Sequence, residues 1–350
     1  MERIRLLCHC GAGVEAIASS LTGAVRDLIG ADSAALFWLD ESGNPLGFFH
    51  DCAPAEVKDL FITRFEELFS GPGEVNMVTL AEIEGPAIGR MFDADFAARF
   101  WSGEVYRRLC TPLGHHFMLD MRIEWQGRGR VVFCAWNGPD RPFTLTDAAA
   151  LEPVRTLISH AVATQRAEAG WRSSASDNAH LITDAGGTRL VAINPEAEAI
   201  LMASHLLRQH VSMTHQPETA PGFAILLARA MTKGDPGPSA YVPVADGRIV
   251  ARASRTRAVN SGLGALMYVA LDLQTPIDVL MIDTVMQLPL TPLQREIALF
   301  GMRGGARGDC SALFGVSPEA LKKHLRAIYD ATNTARWSEL AGRFADRSNA

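Results

Sequence analysis

The stretch LFGVSPEALKKHLRAIY, residues 313–329, decides the fold of the C-terminal part of the chain. Gly315 separates a short apolar segment from a longer one, and glycine allows the backbone to turn sharply between two helices. Ser317 and Pro318 are typical of the cap and the first turn of a helix. The stretch therefore predicts a helix, a turn of a few residues and a second helix, which is a helix-turn-helix.

The second helix of this stretch has two different faces. Leu321, Leu325 and Ile328 recur at helical spacing, so we expect them to face the core. The residues expected to point outward are mostly charged: Glu319, Lys322, Lys323 and Arg326. By composition alone this face is compatible with an ordinary solvated helix, and it is also compatible with a helix whose cations meet DNA phosphates.

A further helix is predicted upstream, where Thr291, Pro292 and Gln294 form a capping box with proline at the first helical position. From Leu290 to Ala345 the chain resembles the LuxR-type helix-turn-helix domain of bacterial transcription regulators, on the motifs LTP, REI, LFGVSP and LKKHLRAIY. The resemblance implies an all-α, four-helix, DNA-binding domain over residues 289–347. It also implies a homodimer, with a contact on the fourth helix, which begins near SEL at 338–340.

The resemblance implies double-stranded DNA as the partner, contacted by Ser317, Glu319, Lys322, Lys323, His324, Arg326, Arg307 and Arg336. The chain departs from the family pattern at Ala320-Leu321, where a threonine–valine pair is usual, and at Asp330, where a cation is common. Asp330 removes positive charge, and the departures together lower the affinity for DNA that the resemblance implies. An alternative therefore stays open, in which the chain is an interaction protein with a degenerate helix-turn-helix that modulates another regulator.

Charge is distributed unevenly along the chain, whose formal net charge is -6. Residues 290–350 carry nine Lys or Arg and six Asp or Glu. The other residues carry 24 Lys or Arg and 33 Asp or Glu. A mildly basic tail on an acidic body is typical of a protein in which one module meets an anionic partner.

Residues 1–169 form the first predicted domain. GVEAIASSLTGAVRDLIG, residues 13–30, has apolar residues at helical spacing, and residues 33–51 and 115–136 each predict two strands around a turn. Helices are predicted at 54–69 and 96–110, and a long closing helix is predicted to be capped by Thr146 or Asp147. This order of elements is similar to that of a GAF domain.

Residues 176–275 form the second predicted domain, after the polar linker RSSASDN. The segment AHLITDAGGTRLVAINPEAEAIL predicts a strand, a turn at Gly186-Gly187, a strand and a helix capped by Asn194. A second helix, a hairpin around Asp246-Gly247 and a last strand follow. The segment resembles a PAS domain, and residues 276–288 are expected to be a linker. Both domains are thus expected to be α+β, with helices on antiparallel sheets.

The GAF-like and PAS-like resemblances imply sensing of a small molecule or a redox signal. Candidate ligand-binding residues are Trp38, Phe49, Trp101, Tyr106, His115 and Trp125, since aromatic rings with a polar neighbour suit a lipophilic effector. No cofactor is identified. Cys8 and Cys10 would share a face if LCHCG were a strand, but their spacing does not match the paired cysteines of zinc sites, so no metal is predicted.

Signals for other classes of protein are missing from the sequence. We find no P-loop, no His-Glu-x-x-His, no Gly-x-Ser-x-Gly and no dinucleotide fingerprint, so an enzyme is not expected. No stretch reaches the roughly 18 consecutive apolar residues of a membrane helix, and no secretory signal is apparent. The sequence therefore predicts a cytoplasmic, one-component transcription regulator controlled by its N-terminal region, without membrane association.

Overall fold

The first sheet of the computed structural model is antiparallel, with the strand order β2-β1-β4-β3. Its strands are β1 (Ser33–Leu39), β2 (Pro45–His50), β3 (Phe117–Trp125) and β4 (Arg128–Asn137). The structure describes residues 1–39, 45–52, 74–82, 84–164, 170–173, 178–204, 219–257, 259 and 264–345. Every residue of β1 is buried, because this strand lies between two others and both of its faces are covered.

Helices cover both faces of this sheet. They are α1 (Glu2–Cys8), α2 (Ala18–Ile29), α3 (Met77–Glu82), α4 (Ala94–Ser102) and α5 (Leu145–Ala163). Helices α1, α2 and α5 pack on one face and form a large apolar core with it. Helices α3 and α4, together with a π-helical turn at Tyr106–Cys110, pack on the other face.

The two predicted hairpins and the helix before Gly30 are confirmed. Gly30 ends α2 in the left-handed conformation, as expected of a glycine at this position. The predicted helix at 54–69 lies entirely outside the described residues. The predicted turn at 42–45 lies outside them except for Pro45.

One local prediction in this domain is wrong. Helix α5 is capped by Thr144 and not by Thr146 or Asp147, because Asp147 lies three residues into the helix and closes a capping box with Thr144. The sequence left the structure around Cys8 open, and the segment Glu2–Cys8 is helical, so the strand that was considered for LCHCG does not form. Its ion pairs to residues far along the chain, described below, explain why local pattern did not reveal this.

The second sheet has the strand order β7-β6-β10-β9-β8, with β5 paired to β10. Its strands are β5 (Trp171–Ser173), β6 (His180–Asp184), β7 (Leu190–Ile193), β8 (Ser239–Val244), β9 (Gly247–Arg257) and β10 (Ala265–Pro276). Helices α6 (Pro195–Ala203) and α7 (Gly222–Thr232) pack against the sheet. Asn194 caps α6 as predicted, by accepting a hydrogen bond from the Ala197 N–H at 3.1 Å.

The remaining described residues are helical. They form α8 (Ile277–Met286), α9 (Pro292–Met302), α10 (Cys310–Phe314), α11 (Pro318–Thr332) and α12 (Trp337–Ala345). The predicted capping box of α9 is confirmed, since the Thr291 N–H donates to Gln294 and Thr291 Oγ1 accepts from the Gln294 N–H. The segment predicted as a linker, 276–288, is mostly occupied by α8, which follows β10 without an intervening loop.

Helix α8 joins the three parts of the chain. Its side chains Val279, Met281, Ile282 and Val285 are buried in the same apolar core as α1, α2 and α9. Polar contacts surround this core. The ion pairs are Arg3–Asp283 at 2.8 Å, Glu2–Arg295 at 2.7 Å, Asp278–Arg303 at 2.6 Å and Arg5–Glu296.

A second contact joins the domain of the first sheet directly to the domain of the second sheet. The turn between β8 and β9 places the Asp246 carboxylate 3.1 Å from the Ser19 N–H, at the start of α2. Burial raises the pKa of Asp246, and the neighbouring carboxylate of Asp283 raises it further. In the part of the chain that the structure describes, no helix is long and apolar enough to cross a membrane.

The turn at Gly186-Gly187 offers a matched test of the second domain. Gly187 has φ 69°, and a Cβ added to it would lie 2.3 Å from the carbonyl oxygen of Ala224 on α7, whereas one at Gly186 meets only Asp184 Oδ2, at 3.7 Å. We expect Gly187→Ala to lower the free energy of unfolding by about 3 kcal/mol, through left-handed strain and displacement of α7. Gly186→Ala should change it by less than about 1 kcal/mol. Urea denaturation followed by circular dichroism measures both, and equal effects would contradict the described packing.

Candidate nucleic-acid interface and ligand cavity

Helix α11 begins at a strong local signal. Gly315 turns the chain with φ 62°, and Ser317 Oγ accepts a hydrogen bond from the Ala320 N–H at 3.2 Å. Pro318 occupies the first helical position, where its missing N–H costs no hydrogen bond. Helices α10 and α11 are thus held as two helices with a tight turn between them.

The predicted apolar stripe of α11 is confirmed. Leu321, Leu325 and Ile328 are 7%, 2% and 0% exposed, so this face packs against the other C-terminal helices. Phe300 of α9 contacts Phe314 of α10, with ring centroids 5.8 Å apart. These contacts fix the direction in which the opposite face of α11 points.

The opposite face of α11 is exposed and carries three cations. Lys322, Lys323 and Arg326 are exposed, as is Glu319 near the start of the helix. In the part of the chain that the structure describes, none of the three cations forms an ion pair. Their charges are therefore not neutralised by neighbouring carboxylates of the described residues.

The other candidate DNA-binding residues surround this face unevenly. Arg307 is exposed in the turn before α10, and His324 is half-buried on α11 itself. Arg336 is exposed just before α12 and pairs with Glu339 at 3.3 Å. Ser317 is exposed but already accepts a hydrogen bond as the helix cap. The charge of Arg307 acts on Tyr329, in the last turn of α11, so Arg307 lies towards the C-terminal end of the helix that carries the three cations.

Helix α12 is anchored to the preceding helices. The Trp337 Nε1–H donates to the Gly305 carbonyl at 2.7 Å, and Leu340 is fully buried. A Cβ at Gly301 of α9 would lie 2.9 Å from the Trp337 ring, so glycine is needed for this close approach. The four helices α9 to α12 therefore form one packed unit.

A separate cavity lies in the first domain, between the sheet and the helices α3 and α4. The space between its lining atoms amounts to about 660 Å³ when the solvent at its open side is included. Its wall on the sheet side comes from one face of the strands: Phe37, Phe48, His50, Met118, Cys134 and Trp136. The described lining residues include no Asp, Glu, Lys or Arg, and their polar side chains are Asn76, His50 and His115.

Three nearly parallel rings form one end of the cavity wall. The ring centroids of His115 and Trp136 are 5.0 Å apart, those of His50 and Trp136 are 5.2 Å apart, and those of the two histidines are 5.5 Å apart. The angles between the ring planes are 10° or less. The three rings are therefore packed against one another as a stacked cluster.

Burial controls the charge of this ring cluster. His115 is 6% exposed, and Ser33 Oγ lies 2.6 Å from its Nε2 atom. Burial lowers the pKa of His115 to about 4, against a smaller opposing effect of Asp51 and Asp32. The imidazole is thus neutral at neutral pH. Burial likewise raises the pKa of Cys110 to about 12 and that of Cys134 well above its usual range, so both thiols stay protonated.

His115 is the one candidate ligand-binding residue from the sequence that lines the cavity; the other five lie elsewhere. Trp38 and Phe49 belong to the opposite face of the sheet, one residue out of step with Phe37 and Phe48. Trp125 is 39% exposed at the end of β3. These residues therefore do not line this cavity, and their role in ligand binding stays a prediction.

Trp101 and Tyr106 act as supports behind the cavity. The Trp101 Nε1–H donates to the His116 carbonyl at 3.0 Å, and the Tyr106 hydroxyl lies 2.7 Å from His116 Nδ1. The adjacent histidines therefore have different roles, with His115 in the cavity wall and His116 in this hydrogen-bonded group. Among the described residues, no group of three or more His, Cys, Asp or Glu could hold a metal ion.

Comparisons with known proteins give no family assignment. Neither a protein-family model nor a curated protein matches the chain. Among solved structures, the chain is similar to a phage VqmA–DPO complex, with 12% identity, a TM-score of 0.21 and coverage of 48% of this chain and 81% of that one. The chain is also similar to the Vibrio cholera VqmA–ligand–DNA complex, with 11% identity and a TM-score of 0.24. This match covers 60% of this chain and 89% of that one.

A further similar structure is the sensor region of a sensor histidine kinase. The identity is 12%, the TM-score is 0.18, and the match covers 74% of this chain and 90% of that chain. Values this low do not show a shared arrangement of the whole chain. The function must therefore be argued from the helices and the cavity themselves.

The neutral state of His115 predicts a pH-dependent stability. As the pH falls from 6.5 towards 4, the imidazole takes up a proton in the unfolded chain before it does so in the folded one, so the folded state loses up to about 3 kcal/mol. We expect His115→Gln to remove this loss and His324→Gln to retain it. Urea denaturation between pH 7 and pH 4 measures the effect.

The comparison between variants isolates His115 from other groups that titrate nearby. Burial raises the pKa of Asp120 to about 6, which favours the folded state as the pH falls and opposes the effect of His115. Because Asp120 is present in wild type and both variants, it cancels in the difference. An identical pH dependence in wild type and His115→Gln would contradict the buried, neutral imidazole.

Proposed function

We propose that the chain is a DNA-binding transcription regulator whose C-terminal helices contact DNA and whose N-terminal domain responds to a small molecule. The proposal rests mainly on one observation. Helix α11 follows a tight glycine turn, buries one apolar stripe and exposes Lys322, Lys323 and Arg326 without ion pairs to other described residues. The resemblance of residues 290–345 to the LuxR-type helix-turn-helix supports the same conclusion.

Each cation of α11 has a physical role in this proposal. Lysine and arginine side chains meet phosphates, which position a helix on DNA without reading its sequence. Residues nearest the start of the helix, including Glu319, Lys322 and Lys323, reach the base edges when the helix enters the major groove. With so few cations, affinity depends on a homodimer that reads two half-sites about one helical turn apart.

Helix α8 supplies a route from the N-terminal domain to the DNA-binding helices. It contacts α1 through Arg3–Asp283, and it contacts Arg303, the residue that follows α9, through Asp278. A ligand that binds one arrangement of these helices better than another shifts the population of DNA-binding molecules. The protein thus acts as a cytoplasmic one-component regulator rather than as an enzyme.

One observation favours a second candidate function. Two carboxylates, Glu319 and Asp330, are exposed on α11 beside the cations, and they weaken its attraction for phosphates. This charge pattern is compatible with an interaction protein that binds another regulator through the same helix. The two candidates differ in whether DNA binding depends on salt and on Lys322 and Lys323.

A salt titration of the full chain decides between them. Duplexes are first selected from a random-sequence pool by the purified protein, and affinity is then measured by fluorescence anisotropy at several salt concentrations. We expect Lys322→Ala/Lys323→Ala to weaken binding at least tenfold and to reduce the slope of log K against log salt by about 4, since a dimer loses both lysines from each protomer and each lost phosphate contact contributes about 0.9. Lys233→Ala, at an exposed lysine at the end of α7, should match the wild type.

The DNA-binding proposal is abandoned if no duplex is enriched from the pool, or if the double variant binds with the wild-type slope. If the chain is instead an interaction protein, the wild type shows no selective DNA binding. The double variant then loses binding to a protein partner.

A further inference from the structure

A small polar pocket lies on the opposite face of the first sheet from the apolar cavity, next to α5. Two of its described lining residues, Glu15 and Arg130, are charged, and both are partly exposed. Most of the surface that faces this pocket is polar. The polar surface comes from these two side chains and from backbone atoms, because the other described lining residues are glycine, aromatic or aliphatic: Gly13, Val14, Trp38, Leu39, Val131, Ala161 and Val162.

A β-bulge directs Arg130 towards this pocket. Ile123 of β3 pairs with Val131 of β4, and the next residue of β3, Glu124, pairs with Gly129. Arg130 is therefore an extra residue of β4 that has no partner in β3. Adjacent residues of a regular strand point to opposite faces, but Arg130 and Val131 both line the pocket. Bulges redirect side chains in this way, and they are common next to functional sites.

Glu15 brings the opposite charge to the same wall. It begins a short 3₁₀ turn, Glu15–Ile17, that leads directly into α2. Burial raises the pKa of its carboxyl group, against smaller opposing effects of its own N–H group and of the Arg130 charge. The two charges thus act on each other, yet within the described part of the chain the two side chains form no ion pair. The pocket therefore presents one anion and one cation that do not neutralise each other by direct contact.

This pair of charges restricts the ligand. An ammonium group donates hydrogen bonds to the Glu15 carboxylate, and a carboxylate accepts them from the Arg130 guanidinium. A molecule with only one charge satisfies one of the two protein groups and desolvates the other without compensation. A ligand with both charges matches the pocket better than an anion or a cation alone.

The size and the remaining wall of the pocket restrict the ligand further. The space between the lining atoms amounts to about 380 Å³ when the solvent at the open side is included. One water molecule occupies roughly 30 Å³ in the liquid, so a molecule of several non-hydrogen atoms has room. Val14, Val131, Ala161 and Val162 offer apolar contacts only, so they favour a short apolar substituent over a polar one.

We propose that this polar pocket binds a small zwitterionic amino acid, with its ammonium group at Glu15 and its carboxylate at Arg130. The binding chemistry rests only on the pocket, whereas the role of such a ligand as the signal rests on the proposed function. In that role the ligand acts next to a domain contact. The turn Glu15–Ile17 contacts β8 and β9 of the second domain, and Asp246 of that domain accepts the nearby Ser19 N–H.

Three matched probes test the chemistry on the full chain at neutral pH. L-Alanine carries both charges, propionate has the same carbon skeleton without the ammonium group, and ethylamine lacks the carboxylate. Dissociation constants come from saturation-transfer NMR titrations. We expect L-alanine to bind at least about tenfold more tightly than propionate or ethylamine, because each of these forms only one set of charge-assisted hydrogen bonds.

Two variants assign each charge of the ligand to its partner. Glu15→Gln removes the anion, so the preference for L-alanine over propionate should fall about tenfold, while the preference over ethylamine is retained. Arg130→Gln should have the reverse effect. A general loosening of the pocket changes both preferences together, so the crossed pattern separates a binding role from a merely structural one.

Two control variants make the same chemical changes outside the pocket. Glu152 and Arg107 are exposed and do not line it, so Glu152→Gln and Arg107→Gln should leave both preferences unchanged. Melting temperatures confirm that all four variants fold. If Glu15→Gln or Arg130→Gln does not fold, the comparison of the three probes on the wild type still decides.

Three results would overturn this inference. One is the absence of saturable L-alanine binding up to about 10 mM, ten times the upper end of the usual range for metabolites and their enzymes. The others are binding of propionate or ethylamine as tight as that of L-alanine, and unchanged preferences in both folded variants. None of these results bears on DNA binding, which the salt titration tests separately. Conversely, a protein that binds L-alanine as expected but selects no DNA would retain this site and lose the proposed regulatory function.

Discussion

The burial of α8 between α1, the second sheet and α9 is the contact on which the arrangement of the chain depends. Val279, Met281, Ile282 and Val285 close an apolar core shared by the first domain and the C-terminal helices. Burying four such side chains stabilises the arrangement by several kcal/mol, at roughly 1.5–3 kcal/mol each. The surrounding ion pairs are partly exposed and contribute less, but they fix which helix faces meet.

This contact connects the domain that contains the cavity to the helices that include α11. The sheet of the first domain has the cavity on one face and the shared core on the other. A displacement of side chains on the cavity side therefore presses on closely packed side chains of the sheet. Close-packed interiors transmit such displacements because they contain few voids that could absorb them. Packed side chains therefore connect the sheet of the first domain to α11 without a direct contact between α11 and the cavity.

Local signals in the sequence predicted much of the fold and part of the site. Gly315, Ser317 and the Leu321–Leu325–Ile328 spacing are short-range patterns, and the structure has them as expected. The cavity wall was missed by one position, with Trp38 chosen where Phe37 faces the space. Strand β1 is apolar on both faces, so its sequence has no alternation to distinguish them. Helix α1 was missed because its partners lie on α8 and α9, about the length of the chain away.

The join between β10 and α8 has a mechanical consequence. Strand β10 is central in its sheet and ends at Pro276, and α8 begins at the next residue. No loop separates the strand from the helix, and Pro276 has a fixed φ. The strand and the helix are therefore expected to move together. A slip of β10 by one residue would carry α8 along by about 3.4 Å, more than half a helical turn. A movement of the second sheet is thereby passed directly to α8, the helix that packs against the C-terminal helices.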